Sequence, residues 1–468
     1  MQRLFTIVFI ATLFCSSIYA LAQENPHGAR ILSGTPGTVQ FDLKGHTEYV
    51  KDVRWSPDGT KLATVSGGAL DNSAIVWSAV TGEKLYTLPY AKSISWSPDG
   101  SKIATITLDT TGAPSSFNLT LVVIWSAASG EKLASIKAHT ANISMLSWSP
   151  DGSKIATASA DKTASIWSTT NPGMPLVLSG HTKSVTHVVW SPNGEKVLTA
   201  CADASAIIWS SVSGEKLQTL KGHTSTIQDV SWSPDGSKIA TASWDKSCII
   251  WQSSNGEKLF TLSHGWIVWN VTWSPDNSKL LTSSEDASDI WSATGGEKLH
   301  TLKGHTARVY TAHWSPDGSK IATASLDSTA IIWSADGTKL LTLKGHTENT
   351  GVNIARWSPD GKRVATGGDD RTAKIWYITD PNSVEEVPNP TSTGFTLYPN
   401  PAAKNIHLNF GESIAHPTTL RLVTMLGVHA ASVTLPAGTS EWTMSVEGLP
   451  AGMYMAEWNG TARAVIVE

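Results

Sequence analysis

Cysteine, net charge and long apolar segments are all scarce in this sequence. Its 468 residues include three cysteines and carry a formal net charge of −4. Cys15 lies near the start, and the remaining two, Cys201 and Cys248, cannot form a disulfide framework, so we expect them to be buried or free thiols. Acidic and basic residues are interspersed, which gives no electrostatic reason to expect binding to nucleic acid or to an anionic membrane.

Short catalytic and metal-binding motifs are missing as well. The sequence contains no GxSxG, no HExxH, no P-loop and no cysteine pair at zinc spacing. A histidine, an aspartate and a serine recur in most of the repeats described below, but nucleophilic catalysis needs one activated serine rather than a copy in each repeat. We therefore expect no catalytic residues, no metal ion and no cofactor.

The one long apolar run lies at the N-terminus. Arg3 precedes an apolar stretch over 4–14, and Ala20-Leu21-Ala22 fits the rule for signal-peptide cleavage. At about 11 residues the stretch is too short for a transmembrane helix, and no other run approaches that length. We interpret residues 1–22 as a signal peptide for export to the periplasm and residues 23–36 as a spacer, and we expect no transmembrane segment.

Tryptophan is abundant, and it recurs at a regular interval. Of the 21 tryptophans, eight precede a Ser-Pro pair and eight end a short apolar segment, the latter 40 to 48 residues apart. The first series is Trp55, Trp96, Trp148, Trp190, Trp232, Trp273, Trp314 and Trp357. The second is Trp77, Trp125, Trp167, Trp209, Trp251, Trp291, Trp333 and Trp376. We expect all sixteen to be core residues.

Each repeat contains four short segments that suit β-strands. In the fifth repeat IQDVSW and KIATAS alternate in polarity, SPDG between them is a turn, CIIW is an apolar strand and EKLFTL a more exposed one. Four antiparallel strands at a fixed period predict a propeller blade. The fold class is therefore all-β, with an eight-bladed propeller over residues 37–379.

The first and last repeats indicate how the ring closes. Residues 38–43 (TVQFDL) have the pattern of a fourth strand with no blade before them, and the last repeat has no clear fourth strand after Trp376. We expect residues 38–43 to complete the eighth blade, which leaves no exposed sheet edge. The alternative is that residues 383–387 supply this strand.

The repeat resembles the WD-repeat β-propeller family. The features that it shares are a Gly-His pair, a turn aspartate six residues before the terminal tryptophan, and that tryptophan, although Ser follows it in most copies where the family usually has Asp. The resemblance implies a buried hydrogen-bond network of structural function in each blade. The network residues are His46, Asp71, His139, Asp161, His181, Asp203, His223, Ser243, Asp245, Trp251, His264, His305, Asp327, His346 and Asp370.

The resemblance also implies that partners bind the face formed by the loops after Gly-His and before the turn aspartate. The positions that map there and differ from the small residues of most blades are Glu48, Tyr49, Lys183, Trp244, Trp266 and Arg308. Two repeats depart from the pattern: the second lacks Gly-His and has a longer insertion, and the sixth carries Trp266 and Trp269. Trp244 and Trp266 could form one exposed rim; alternatively, Trp266 and Trp269 fill space in the altered sixth repeat.

From Gly394 the composition changes. A linker over 380–393 precedes residues 394–468, whose alternating segments predict a small immunoglobulin-like β-sandwich. This part resembles the C-terminal sorting domain of type IX secretion substrates in Bacteroidetes, which implies transport by that machinery across the outer membrane. The matching residues are Leu397, Tyr398, Pro399, Asn400, Pro401, Gly452 and Tyr454, followed by an apolar final strand.

These observations predict a secreted or surface-attached, non-enzymatic and monomeric scaffold. We expect it to bind a protein or a glycan through the face named above. Two alternatives remain open. One is an exported enzyme with a pair of carboxylates at the mouth of the channel, placed as glycoside hydrolysis requires. The other is a purely structural surface or matrix protein.

Overall fold

The structure is a computed structural model. The chain divides into two compact units, Met1–Ser383 and Val384–Glu468. In the first unit the structure describes residues 35–378 except 69–70, 109–119, 172 and 286. In the second unit it describes residues 396–398, 405–409, 418–424, 429–447, 449, 452–458 and 461–467. The predicted signal peptide, the linker and most of the insertion in the second repeat lie outside the described residues.

The first unit is an eight-bladed β-propeller made of eight four-stranded antiparallel sheets. The chain begins with β1 (Val39–Lys44), which belongs to the last blade. Blade one contains β2 (Val50–Trp55), β3 (Lys61–Ser66), β4 (Ser73–Ser78) and β5 (Lys84–Pro89). Blade two contains β6 (Ala91–Trp96), β7 (Lys102–Leu108), β8 (Thr120–Ser126) and β9 (Lys132–Ile136). Blade three contains β10 (Ile143–Trp148), β11 (Lys154–Ser159), β12 (Thr163–Ser168) and β13 (Leu176–Ser179).

The remaining blades repeat this order. Blade four contains β14 (Val185–Trp190), β15 (Lys196–Cys201), β16 (Ser205–Ser210) and β17 (Lys216–Lys221). Blade five contains β18 (Ile227–Trp232), β19 (Lys238–Ser243), β20 (Ser247–Gln252) and β21 (Lys258–Ser263). Blade six contains β22 (Asn270–Trp273), β23 (Lys279–Ser283), β24 (Ser288–Ser292) and β25 (Lys298–Leu302). Blade seven contains β26 (Val309–Trp314), β27 (Lys320–Ser325), β28 (Thr329–Ser334) and β29 (Lys339–Lys344). Blade eight contains β30 (Val352–Trp357), β31 (Arg363–Gly368) and β32 (Thr372–Tyr377) and is completed by β1.

The pairing of β1 with β32 closes the ring. The two strands are antiparallel, with Leu43 opposite Ala373. Leu43 is buried in the same apolar cluster as Ile375, and Lys374 Nζ donates a hydrogen bond to Asp42 Oδ1 at 2.5 Å. The prediction that the segment before the first blade completes the eighth blade is confirmed, with the strand one residue later than expected. The strand β1 thus covers the sheet edge that β32 would otherwise leave exposed.

The ring has two distinct ends. The first strands of neighbouring blades contact one another all the way round, so the first strand of each blade is the innermost and the fourth the outermost. Because the strands alternate in direction, the loops with the histidines and the turn aspartates share one end, the top face. The SPDG turns lie at the opposite end, the bottom face.

The tryptophans that precede the SPDG turns connect neighbouring blades. All sixteen repeat tryptophans are buried, as expected. Trp55 Nε1 donates to the carbonyl of Arg356 at 3.1 Å, and Trp96 Nε1 donates to the carbonyl of Arg54 at 3.1 Å. Trp148, Trp190, Trp273 and Trp357 make the equivalent bond to the blade before them. These six bonds join the first strands of neighbouring blades, whereas Trp232 Nε1 and Trp314 Nε1 are buried without a hydrogen-bond partner among the described residues.

The SPDG turns are held by their own side chains. In blade three Ser149 Oγ donates to Asp151 Oδ1 at 2.5 Å, and Ser153 N and Oγ donate to the same carboxylate. These hydrogen bonds, that from Ser149 first, lower the pKa of Asp151 to about 2. Gly152 has a φ of 69°, which a glycine adopts without strain. Blade four forms the equivalent turn with Asn193 in place of the aspartate, and blade six with Asn277, at a φ of 63°, in place of the glycine.

The second unit contains two antiparallel sheets. Strands β33 to β39 are Thr396–Tyr398, Asn405–Asn409, Thr418–Thr424, His429–Leu435, Glu441–Ser445, Gly452–Trp458 and Thr461–Val467. One sheet has the order β33-β34-β37 and the other β36-β35-β38-β39. Ile406 and Met444 of the first sheet share a buried cluster with Leu420 and Tyr454 of the second. The two sheets thus pack around one core, as the predicted sandwich requires.

Two further expectations concern the chain as a whole. Cys201 and Cys248 are buried free thiols, which confirms the interpretation from the sequence. Within the described residues, no helix has the length and apolarity needed to cross a bilayer. The division between the units, after Ser383, falls inside the predicted linker. The exact domain boundaries stay predictions.

The closing strand generates a first test. Replacing Leu43 with Ala removes a fully enclosed side chain from the β1–β32 pair and should lower the free energy of unfolding by about 2–5 kcal/mol. The matched control is Leu85→Ala, at an exposed position of an outer strand, which should change it by less than about 0.5 kcal/mol. Urea titration followed by tryptophan fluorescence measures both. Equal effects of the two substitutions would contradict closure by β1.

Candidate functional site

In most blades one threonine hydroxyl connects the second strand, the third strand and the loop that precedes the blade. In blade five Trp251 Nε1 donates to Thr241 Oγ1 at 2.9 Å, and His223 Nε2 lies 2.7 Å from the same oxygen. Blades one, three, four, seven and eight repeat the arrangement, with His–Thr distances of 2.8 Å and Trp–Thr distances of 2.8–3.0 Å. The second strand, the third strand and the preceding loop are thereby connected at one buried atom.

The other ring nitrogen of each histidine meets the turn aspartate. His223 Nδ1 lies 2.8 Å from Asp245 Oδ2, and the pairs of His46, His139, His305 and His346 with their aspartates are separated by 2.9–3.0 Å. The His181–Asp203 pair is longer, at 3.5 Å. Asp245 also accepts the N–H of Thr224 and the hydroxyl of Ser247. The predicted histidines and aspartates of these blades are therefore brought together.

Burial favours the neutral form of five histidines of the network. Burial lowers the pKa of His46, His139, His181, His223 and His305, and the neighbouring aspartates oppose this shift without cancelling it. A neutral imidazole can donate from Nδ1 to aspartate and accept at Nε2 from threonine. This tautomer satisfies every group in the chain Trp–Thr–His–Asp.

Ser243 has a different position from the one expected of a network residue. Its hydroxyl donates to the carbonyl of Thr226 at 3.0 Å and accepts the N–H of Asp245 at 3.1 Å. It braces the turn and does not contact His223. Thr241, two residues earlier, provides the hydroxyl that contacts the histidine and the tryptophan. The sequence contained a signal for it, because all eight second strands have threonine three residues after their first residue.

Blade six departs from the pattern. His264 Nδ1 lies 3.4 Å from Asp289 Oδ2, a residue of the third strand rather than of the turn. Asp289 also pairs with Lys298 at 2.8 Å and accepts the hydroxyl of Thr301 at 2.6 Å. The buried Nε2 of His264 has no hydrogen-bond partner among the described residues. Sequence reasoning missed Asp289 because it lies within the third strand, two residues before Trp291, whereas the turn aspartates lie six residues before their tryptophans.

The top face of blades five and six exposes a group of aromatic rings. Trp244 is 45% exposed and Trp266 is 51% exposed. Trp244 packs edge-to-face on Trp269 with 6.5 Å between ring centroids, and the Arg308 guanidinium lies 5.6 Å from the centroid of Trp269. Lys246 Nζ lies 5.6 Å from the centroid of Trp266. We call Trp244, Lys246, Trp266, Trp269 and Arg308 the blade five–six rim.

Hydrogen bonds hold part of this rim in place. Trp244 Nε1 donates to Gln228 Oε1 at 3.0 Å, and Arg308 Nε donates to Glu285 Oε1 at 3.0 Å. A side chain that only filled space in the core would be buried, whereas half of Trp266 is open to solvent. The rim is therefore an ordered surface with two cations beside its aromatic rings.

The other positions predicted for partner binding lie elsewhere on the top face. Glu48 and Tyr49 belong to blade one, and Lys183 belongs to blade four. Tyr49 is 39% exposed and packs over Gly67, where a Cβ atom would lie 2.1 Å from its ring. Of the six predicted positions, the structure groups only Trp244, Trp266 and Arg308 into one surface.

Three side chains in blade four have the composition of a metal site. His181, Cys201 and Asp203 place their ligand atoms within 4.8 Å of one another. However, Cys201 occupies the position of Ser243 in blade five, and its Sγ makes the same contacts, to the Lys183 carbonyl and the Asp203 N–H. Burial raises the pKa of Cys201 to about 11, which disfavours the thiolate that binds a metal. These residues belong to the blade network.

The residues of the predicted sorting motif are only partly described. Leu397 and Tyr398 belong to β33, while Pro399, Asn400 and Pro401 lie outside the described residues. Gly452 begins β38, and Tyr454 is buried in the core of the second unit. The described part of the motif is therefore built into the sandwich.

Comparison with known families agrees with this geometry. The family described as WD domain, G-beta repeat matches seven segments that together make up more than half of the chain. The chain belongs to the WD-repeat family. The matched segments are 37–78, 130–168, 174–210, 214–252, 256–288, 296–334 and 337–377. Blade two, which lacks the Gly-His pair, falls largely in the unmatched interval.

A second family covers the C-terminal unit. Residues 396–467 match the secretion system C-terminal sorting domain. This match identifies the WD-repeat chain as a type IX secretion substrate, exported to the cell surface or the extracellular space. The prediction of a secreted protein is confirmed.

Individual relatives share only part of the chain. WD repeat-containing protein 1 of Gallus gallus is 30% identical over 139 residues, which are 30% of this chain and 15% of that protein. Protein FIZZY-RELATED 3 of Arabidopsis thaliana is 26% identical over 126 residues, 27% of this chain and 25% of that protein. The chain thus matches a quarter or less of the length of these relatives. The crystal structure of the computationally designed Ika8 protein aligns with 73% of this chain and 99% of its own, with a TM-score of 0.62 and 20% identity, and shares the fold.

The shared threonine generates a second test. Thr241→Val keeps the side-chain shape but leaves Trp251 Nε1 and His223 Nε2 without their partner, so it should lower the free energy of unfolding by about 1–3 kcal/mol. Thr261→Val, at an exposed position of the fourth strand of the same blade, is the control and should change it by less than about 0.5 kcal/mol. Urea titrations of the three proteins decide the matter. If Thr241→Val leaves the free energy of unfolding unchanged, the threonine hydroxyl does not stabilise the network as inferred.

The neutral histidines generate a third test. An unfolded histidine has a pKa of about 6.5, and the folded values are lower, so unfolding takes up protons below that pH. Stability should be complete above about pH 6.5 and should decline as the pH falls from there towards 5. His223→Gln should make this decline shallower, whereas His300→Gln, at an exposed site, should not. Urea midpoints measured from pH 8 to 5 test this. A midpoint independent of pH over that range would contradict the neutral-histidine assignment.

Proposed function

We propose that this exported WD-repeat chain is a non-enzymatic, monomeric scaffold that binds a protein partner through the blade five–six rim. The carrying observation is the pair of exposed tryptophans, Trp244 and Trp266, on the face that lies opposite the SPDG turns. Tryptophan and arginine are the residues that most often dominate binding energy at protein interfaces. Large exposed aromatic groups of this kind also mark interaction surfaces on soluble proteins.

The order of the rim supports tight binding. Trp244 is fixed by its hydrogen bond to Gln228 and by its edge contact with Trp269. A partner that covers a side chain already held in position loses little conformational entropy at that site. The rim can therefore convert buried apolar area into affinity more efficiently than freely moving surface residues can.

The cations of the rim favour a protein over a glycan. Lys246 lies over the ring of Trp266, and Arg308 lies over the ring of Trp269. A sugar stacks on an open aromatic face, and on each of these two rings a cation already covers one face. An apolar side chain flanked by a carboxylate would instead contact the ring edges and pair with Lys246, because Arg308 is already bonded to Glu285. We therefore propose a partner segment of mixed apolar and acidic character.

An enzymatic function receives less support from the first strands. Their carboxylates are Asp52 in blade one and Asp229 in blade five. Asp52 accepts a hydrogen bond from Arg54 at 2.9 Å. Burial raises the pKa of Asp229, but its oxygens accept hydrogen bonds from Asn270 and from the Val271 N–H. Acid–base catalysis by two carboxylates needs a facing pair with separated pKa values, and these two belong to different blades with different partners.

A fourth test addresses the rim directly. The exported chain, without its signal peptide, is immobilised and exposed to cell-envelope proteins and polysaccharides. The double variant Trp244→Ala/Trp266→Ala is treated in the same way in parallel. The double variant should retain the partner at least about tenfold less well, because a hot-spot residue typically contributes about 2 kcal/mol or more. The control is Leu217→Ala/Leu340→Ala, two exposed apolar residues on outer strands, which should bind as the wild type does.

The outcomes separate the alternatives. Unchanged circular dichroism shows that the variants are folded, and mass spectrometry identifies the ligand, whose dissociation constant is then measured for each variant. Retention of a polysaccharide alone would refute the protein partner. Equal retention by the wild type and the tryptophan variant would place binding away from the rim. A wild type that retains nothing would favour the structural surface protein.

A further inference from the structure

Three adjacent blades carry a basic side chain at the same position of their first strands. The residue before the pre-turn tryptophan is His313 in blade seven, Arg356 in blade eight and Arg54 in blade one. In the five other blades the same position holds Ser95, Ser147, Val189, Ser231 and Thr272. All eight positions lie on the innermost strands and next to the SPDG turns, hence at the bottom end of the ring. The three basic residues are neighbours because closure places blade one beside blade eight.

These groups are incompletely paired. Arg54 Nε donates to Asp52 Oδ2 at 2.9 Å, while Arg356 Nε lies 3.7 Å from Asp52 Oδ1, too far for a hydrogen bond. One carboxylate thus faces two guanidinium groups. Arg356 Nε and His313 Nε2 are buried and have no hydrogen-bond partner among the described residues. Buried donors without partners are rare in proteins and call for a specific explanation.

A cavity adjoins the unpaired groups. It has a volume of about 270 Å³ and is bounded by the first strands and turns of blades six, seven and eight. Its polar walls include Thr272, His313, Ser315 and Arg356. We call it the bottom cavity. It is large enough for a phosphate group and is open to solvent at the bottom face.

Arg356 is the charged side chain among the residues that line this cavity, and Arg54, Asp52 and Asp229 act on it from outside the cavity. Burial, together with the adjacent Arg54, lowers the pKa of Arg356 to about 10. Burial and the same two arginines lower the pKa of His313 well below its ordinary range. Burial is the largest cause of both shifts and the neighbouring arginines add to it, so an anion bound beside these groups would stabilise their charged forms.

We propose that the bottom cavity binds the phosphate group of a small ligand between Arg356 and His313, with Arg54 adding charge from blade one. Guanidinium groups match phosphate oxygens with paired hydrogen bonds, and charge-assisted bonds of this kind are strong. Arg356 and His313, which both line the cavity, come from neighbouring strands and so approach from different directions, which suits a tetrahedral oxyanion better than a planar carboxylate. The site lies on the face opposite the blade five–six rim and does not depend on the function proposed for that rim.

The experiment uses the exported chain at constant ionic strength. Inorganic phosphate, phenyl phosphate and acetate are added separately, and melting temperatures and calorimetric binding isotherms are recorded. Phosphate should raise the melting temperature, because a ligand that binds only the folded state stabilises it. Acetate should have no such effect. Phenyl phosphate binding more tightly than inorganic phosphate would indicate that the natural ligand is a phosphate ester; the reverse order would indicate the free ion.

Variants locate the site. Arg356→Gln should weaken phosphate binding at least about tenfold, and Arg356→Lys, which keeps the charge but not the paired donors, should weaken it less. Arg54→Gln is an independent variant in case Arg356→Gln does not fold, and it should also weaken binding. Lys216→Gln, which removes a cation from an exposed outer strand, is the control and should bind as the wild type does.

Two results would overturn the proposal. One is a wild type whose melting temperature does not respond to phosphate up to about 10 mM. The other is a response of the same size in the wild type, Arg356→Gln and Arg54→Gln, because binding would then not involve the bottom cavity. Trp244→Ala/Trp266→Ala should keep full phosphate binding, so failure of either proposal is distinguishable from failure of the other.

Discussion

A buried threonine hydroxyl is the atom on which each blade of this propeller depends. The β-ladder connects neighbouring strands along their backbones, but it does not fix the loop that enters the blade or the tryptophan that fills its centre. Thr241 Oγ1 does both, because it accepts the indole N–H of Trp251 and contacts Nε2 of His223. His223 then holds the turn through Asp245. A nonpolar residue in place of the threonine would leave two buried polar groups without partners, which costs far more than one lost hydrogen bond.

The ring is held by a second set of tryptophans, and this set acts between blades. Each pre-turn tryptophan that donates its indole N–H to the preceding blade connects two innermost strands. The bond from Trp55 to Arg356 is the one that spans the junction between the last blade and the first, 301 positions apart in the sequence. Closure therefore rests on the β1–β32 pair at the outer edge and on this indole bond at the inner edge. The first connection is a pair of hydrogen-bonded strands and the second is a side-chain hydrogen bond. They join the last blade to the first at the outer and the inner edge of the ring.

The sequence predicted the features that repeat and missed those that depend on closure or on exceptions. Periodicity sufficed for the eight blades, the SPDG turns and the closing strand, because each is a local pattern read many times. The resemblance implied a serine or threonine of the second strand in the network, and Ser243 was named instead of Thr241 because both face the same side of that strand and only three-dimensional distances separate them. Asp289 was missed because it lies two residues before its tryptophan and the repeat pattern places the aspartate six residues before it. The neighbours Arg54 and Arg356 come together only when the ring closes, and no short-range pattern reports that.

The exceptions in blade six connect stability with function. In that blade the described partner of His264 is Asp289 of the third strand, and Nε2 of His264 is buried without a partner among the described residues. In the same blade the turn residue Glu285 pairs with Arg308, and Trp266 extends into solvent.

Natural proteins depart from their own folding rules mainly where a site requires it. In six of the other blades the histidine loop and the aspartate turn at the top face are bonded to each other. Blade two lacks the histidine. Blade six has reassigned both segments to an exposed surface, and Lys298 and Thr301 stabilise the displaced aspartate instead. These contacts hold Asp289 and, through it, His264 within the blade, while the Trp291–Thr282 bond of the network is kept.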